Sequence, residues 1–307
     1  MNTTFKISLN ISFVFFLLTL ILVFLEFYNH VSKDFLSVVA CLFLVLTIGV
    51  SHGALDDLKG YKLLKFYNIN NKLLFFIAYI LIASLIIIFW ILLPTLMLIF
   101  FLIIASYHFG KEDCWGIKLQ KSNFNILIFF LKGSLIISAP LLFSFNETLT
   151  IFDTLGIKDN RFYNLLNTVN NNYFLLSFVI ISIISNLLVS QKLVELTGLF
   201  IDTICILVLY NSFNPLIAFT IYFCFLHSIR HSASLITELE INLNSFIKKA
   251  LPLTVITACF FLIGLYMLTG LQNIDIDNSI IAVIFVGLAS LTFPHILLEY
   301  LIEKNEK

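Results

Sequence analysis

The stretch Leu73–Asp113, LLFFIAYILIASLIIIFWILLPTLMLIFFLIIASYHFGKED, decides the fold. It carries no charge from Leu73 to Gly110 and breaks only at Leu93-Pro94-Thr95. A helix crosses the hydrocarbon of a bilayer with roughly 17–25 apolar residues, so the stretch reads as two spans, near 73–93 and 95–110. Its last turns differ in kind. In His108-Phe109-Gly110-Lys111-Glu112-Asp113 an imidazole and a carboxylate four residues on share one helical face. Ionisable groups inside a membrane are costly and mark a site by default.

The rest of the chain repeats both features. It is 60% hydrophobic and 12% charged, with a mean hydropathy of +1.02, a balance that excludes an ordinary soluble domain. Further apolar runs lie near 7–25, 35–55, 124–143, 173–189, 199–213, 215–236, 251–269 and 279–301. The expected fold is an all-α polytopic bundle of about ten transmembrane helices, with eight to ten compatible with the runs. Residues 1–307 are expected to form a single integral membrane domain.

Cytoplasmic loops carry the excess of lysine and arginine. With the N-terminus inside, thirteen lysines fall in inner loops or at the termini, chiefly from Lys59 to Lys72, Lys111 to Lys121 and Lys248 to Lys249. Three cationic residues, Lys33, Lys158 and Arg161, fall outside, and Lys132 and Arg230 lie within spans. The chain is therefore expected in the cell membrane with both termini cytoplasmic. His52, His108, His227, His231 and His295 then all sit toward the inner halves of inward-running spans, at similar depth in one leaflet.

The Asn-rich stretch from Phe145 to Asn172 is expected to form a short amphipathic helix at the outer surface or a loop. The first span lacks a small-residue cleavage site and is read as retained. Cys41, Cys114, Cys205, Cys224 and Cys259 show no CxxC pair, so neither a disulfide framework nor a thiolate metal site is indicated.

A buried histidine in a bundle is ordinarily satisfied by one hydrogen bond, and His30, in an outer loop, is read that way. His227 and His231 are different, because an i,i+4 pair presents two imidazoles on one face, as helical metal sites do. His52 and His108 share a local form, with acids four and five residues on. Metal-bound imidazoles normally donate their second N–H to a carboxylate or carbonyl. Asp56 and Glu112 are candidates for that role, within their own helix or across to another, while Asp57 and Asp113 are read as span-end residues. His295, after Pro294, is left between outer partner, pocket residue and structural use. Neutral imidazoles suit Fe, Zn, Cu or Ni.

Ser51-His52-Gly53 with Asp56, Tyr107-His108-Phe109-Gly110 with Glu112 and Asp113, and His227-Ser228-Ile229-Arg230-His231 occur in this order along a polytopic chain. This set resembles the Brp/Blh family of β-carotene 15,15′-dioxygenases. The resemblance implies Fe(2+) held by His52, His108, His227 and His231. It also implies cleavage of the central double bond of all-trans β-carotene by O2 to give two molecules of retinal. The implied partners are β-carotene, O2 and the lipid bilayer, with retinal passed to a microbial rhodopsin and no nucleic acid involved. An apolar tunnel suits a hydrocarbon substrate, and some of the 34 phenylalanines and 11 tyrosines could line it.

Three other classes use membrane histidines. Di-iron desaturases need about eight in HxxxH and HxxHH clusters, against six here and no HxxHH. A cation transporter wants polar groups near mid-membrane beside broken helices. A membrane cytochrome would use histidine pairs as axial haem ligands.

Overall fold

The computed structural model describes residues 3–117, 124–171 and 173–305, with the His52 side chain outside the described set. The described residues are overwhelmingly helical and contain no strand. In chain order the helices are α1 (Thr3–Phe27), α2 (Val38–Leu44), α3 (Asp56–Phe66), α4 (Leu73–Leu92), α5 (Pro94–Asp113), α6 (Phe124–Gly133) and α7 (Leu135–Phe143). They continue as α8 (Phe145–Thr154), α9 (Asn160–Asn171), α10 (Phe174–Val189), α11 (Leu193–Ser212), α12 (Pro215–Tyr222), α13 (Ile229–Glu238), α14 (Leu243–Tyr266) and α15 (Ile276–Asn305). Short π and 3-10 turns at Val45–Gly49 and Val50–Leu55 join α2 to α3, and a π turn at Phe223–Ser228 joins α12 to α13.

Helix ends follow the local sequence. Pro94 and Pro215 open α5 and α12, where a missing N–H is no loss. Ser37 and Asn242 accept hydrogen bonds from the backbone of Ala40 and Ser245. Asn29, Asn68 and Asn273 take the left-handed conformation at chain reversals, with φ of 56°, 56° and 53°.

Among the described residues eight helical stretches are long and apolar enough to cross a membrane, with α2–α3 and α6–α7 each counted as one, or nine if α9 and α10, bent by 69° at their junction, form one more. The eighth sequence run, 215–236, lies in a continuous helical path that buries most of its side chains. At 16 residues α10 alone extends about 24 Å, short of the roughly 30 Å hydrocarbon. The Asn-rich stretch forms two helices, α8 and α9, rather than one. Leu81, Leu85, Ile88 and Ile91 of α4 and Val255, Phe260 and Ile263 of α14 are exposed, as lipid-facing helices require.

α15 is the hub, packing on α2, α3, α4, α5, α8 and α14. Pro294 lies inside it without ending it, as neighbours in a bundle allow. α5 and α6 make the closest crossing: a Cβ at Gly110 would overlap the Phe129 carbonyl, and one at Gly133 the Ser106 carbonyl. Small residues let the two backbones meet.

The charges of Arg230, Asp202, Asp113 and Lys132 inside the bundle all have polar partners. The Arg230 guanidinium donates to Asp202 Oδ2 (2.8 Å) and Ser12 Oγ (2.9 Å), and it lies 3.5 Å from Asp113 Oδ1. The Tyr222 hydroxyl donates to the other Asp113 oxygen at 2.9 Å. Asp113 does end α5, but it is buried in this network rather than a solvated span end. Removing one partner of such a buried pair typically costs about 3–5 kcal/mol. The network ties α1, α5 and α11 to the segment carrying His227 and His231, which fixes the rotation of that segment. Lys132 is held by Asn186 Oδ1 at 2.9 Å.

Candidate metal centre

α5, α13 and α15 bring their histidines to the same end of the bundle, the end that also carries the Lys59–Lys72 connection and the last turns of α15. His108, His227, His231 and His295 are all buried there. Ring centroids are 5.2 Å apart for His108–His227, His108–His295 and His231–His295, and 6.3 Å for His108–His231. The backbone of His52 lies in the 3-10 turn Val50–Leu55, whose Gly53 borders the same cavity as His108.

Helix distortions help place these residues. π turns occur mostly as single insertions at functional sites, where they shift side chains out of α-helical register. The two near the centre, Val45–Gly49 and Phe223–Ser228, pack on each other. Ser228 Oγ donates to the Gly49 carbonyl at 3.2 Å. A Cβ on Gly49 would come within 2.6 Å of the Phe223 ring, so glycine permits this approach.

The carboxylates reach across helices. Glu112 Oε2 lies 2.7 Å from His231 Nδ1, and Asp56 lies 2.9 Å from His295 Nδ1. An ionised carboxylate only accepts, so each Nδ1 carries the proton, and in a neutral ring the lone pair then falls to Nε2. Asp56 is held in turn by the Tyr79 hydroxyl at 3.0 Å. His295, open in the sequence reading, stands in the histidine cluster and is hydrogen-bonded to Asp56.

Glu299, one turn beyond His295 on α15, joins the cluster. It is buried with Lys59 Nζ at 3.2 Å and Lys111 Nζ at 3.5 Å, and it lies 3.8 Å from His295 Nε2. The i,i+4 spacing of His295 and Glu299 is visible in the sequence, where a carboxylate near the membrane boundary reads as an inexpensive one. Asp202 and Arg230 could have been paired as the opposite charges left inside spans.

Ligand atoms of His108, His295 and Glu299 lie within 4.8 Å of one another, as do those of Glu112, His231 and Glu299. These buried groups could hold a metal. Neutral imidazoles with outer carboxylates suit a first-row transition ion rather than Ca2+ or Mg2+, which take oxygen cages. Glu299, already neutralised by two ammonium groups, fits better as a counter-charge than as a ligand. Burial pushes the Cys114 thiol, just beyond α5, up to about 12, and the five cysteines are free.

A cavity of about 820 Å³ begins at His108, His227 and His295. Typical ligand pockets hold roughly 300–1,000 Å³. It follows α5 from His108 to Pro94, about 21 Å for fourteen residues. Trp90, whose indole N–H donates to the Leu155 carbonyl at 3.1 Å, borders its far end. Its walls are mostly apolar. Phe219 stacks on Phe223 (5.4 Å, 10°), and Phe223 stacks on His227 (5.6 Å, 16°). Ile80, Ile91, Ile256 and Phe260 line the cavity and are also exposed, so it opens sideways between α4 and α14.

No curated protein and no solved structure matches the chain. The family model described as Beta-carotene 15,15'-dioxygenase matches residues 43–303, a range that takes in the histidines, their carboxylate partners and most of the cavity wall. The chain belongs to the β-carotene 15,15′-dioxygenase family.

Proposed function

We propose that the protein cleaves the central double bond of all-trans β-carotene with O2, giving two molecules of all-trans-retinal. The observation that carries this reading is a buried histidine cluster bordering a mostly apolar cavity whose side opens between α4 and α14. The balance is simple: one carbon–carbon double bond and one O2 become two aldehydes, with no further reductant.

His52, His108, His227 and His231 are assigned to Fe(2+), with His295 as a further imidazole in reach. Iron held there supplies the one-electron chemistry that a spin-paired polyene needs to react with triplet O2. The chain does the rest by positioning. Glu112 and Asp56 hold the Nδ1 protons of His231 and His295, and Tyr79 holds Asp56. The Phe219–Phe223 stack leads one half of the polyene along the cavity, and the gap between α4 and α14 accommodates the other. Aromatic faces also stabilise positive charge developing on the polyene, and the apolar walls exclude water from the reacting bond.

Expression in a bacterium that accumulates β-carotene tests the reaction. Loss of orange colour with retinal in extracts is expected, and a co-produced microbial opsin should gain its visible absorption. Unchanged β-carotene beside correctly assembled protein would refute the reading and favour a transporter.

The orientation assigned is both termini in the cytoplasm of a cell membrane, from the lysine distribution. In a background lacking Cys41, Cys114, Cys205, Cys224 and Cys259, single cysteines at Asn160 and Asp275 should react with an impermeant reagent outside intact cells. Those in Lys59–Lys72 and at Lys248 should stay protected; the reverse pattern inverts the assignment.

A further inference from the structure

A second cavity, of about 70 Å³, lies behind the first, lined by α5, α7, α8, α11, the start of α12 and Phe285 of α15. Phe101, Phe109, Leu155 and Phe219 border both. One layer of side chains therefore separates them. The small cavity arises where helices cannot close up, since Pro140 inside α7 and Pro215 at the start of α12 both stand in its wall. Apart from the hydroxyls of Thr148 and Tyr210 the wall is hydrocarbon, and Thr148 already donates to the Ser144 carbonyl at 2.8 Å. A water needs two to four polar partners to stay in such a space, whereas apolar cavities remain dry and take up apolar guests such as xenon.

We propose that this cavity is a holding site for dioxygen, filled from the surrounding lipid and emptied past Phe109 toward the histidines. The volume is too small for a carotenoid and ample for a diatomic gas. Dioxygen is itself apolar and concentrates in hydrocarbon over water, so the bilayer supplies it and the cavity retains it. The exit is fixed by Phe109, whose ring edge meets His227 at a centroid distance of 4.7 Å. A turn of that one ring connects the cavity to the metal centre. The proposal rests on the oxygenase reading above.

Xenon is the probe. Crystals of the full chain held under xenon pressure should show density between Ala105, Ile136, Phe152 and Phe219. Ile136→Phe, which fills the space from α7, should remove that density and raise KM for O2 about three- to tenfold. KM for β-carotene is the internal comparison, because a general packing defect would move both constants together. Ala105→Val repeats the test from the opposite wall should Ile136→Phe fail to assemble. Absence of xenon there in the wild type overturns the proposal, as does a filled cavity with an unchanged KM for O2. Xenon uptake is read without turnover, so a protein that binds xenon at this position but leaves β-carotene intact contradicts the oxygenase reading alone.

Discussion

Replacing His108, His227 or His231 with Ala is expected to empty the centre of iron and lower retinal formation by more than about a hundredfold, beyond the usual loss for an outer partner. Each ring is buried, with its centroid 5.2 Å from that of another. His52→Ala is expected to behave likewise. Asp56→Asn and Glu112→Gln keep the shape of the side chain but weaken its hold on the imidazole N–H. They should cost about 10–100-fold in iron retention or activity. His295→Ala separates two roles for that ring: full loss of iron makes it a ligand, while a loss matching Asp56→Asn makes it part of the support. Full iron and full activity in any His108, His227 or His231 variant would remove that residue from the assignment. Iron is measured in purified protein and retinal by chromatography.

Gly110→Ala is expected to prevent assembly, although it adds a single methyl group. The added carbon would overlap the backbone carbonyl of Phe129, and backbone cannot swing aside as a side chain does. Overpacking ordinarily costs about 1–3 kcal/mol when side chains can yield; here α5 and α6 must part. Since α5 carries His108 and Glu112, the centre would open with them. Gly264→Ala, whose Cβ would make ordinary contact with Val283 Cγ2 at 3.7 Å, should assemble normally. Size-exclusion profiles of the two variants in detergent give the comparison, and a normal Gly110→Ala profile would refute the close crossing.

The spans were legible because long apolar runs have few other uses, and the shared depth of the histidines followed from counting lysines. Helix pairing was not. Glu112 shares a face with His108 on α5, yet it bonds to His231 on α13, because which imidazole a carboxylate reaches is decided by the packing of neighbouring helices. Pro294 seemed a reason to set His295 apart, but α15 runs through it and delivers the ring to the cluster. The π turns beside His52 and His227 leave no periodic signature in so apolar a sequence. The role of individual phenylalanines was equally hidden. Phe219 and Phe223 precede His227 by eight and four residues, a spacing that becomes a stacked wall only once the cavity lies beside it.

The most direct measurement is anaerobic titration of the purified, metal-free protein with Fe(2+), followed by addition of β-carotene and O2. One tightly held iron per chain, no Soret band, and two molecules of retinal for each β-carotene consumed are expected, with none formed before iron is added. Retinal formation independent of iron, or a haem spectrum in the active protein, would contradict the iron assignment.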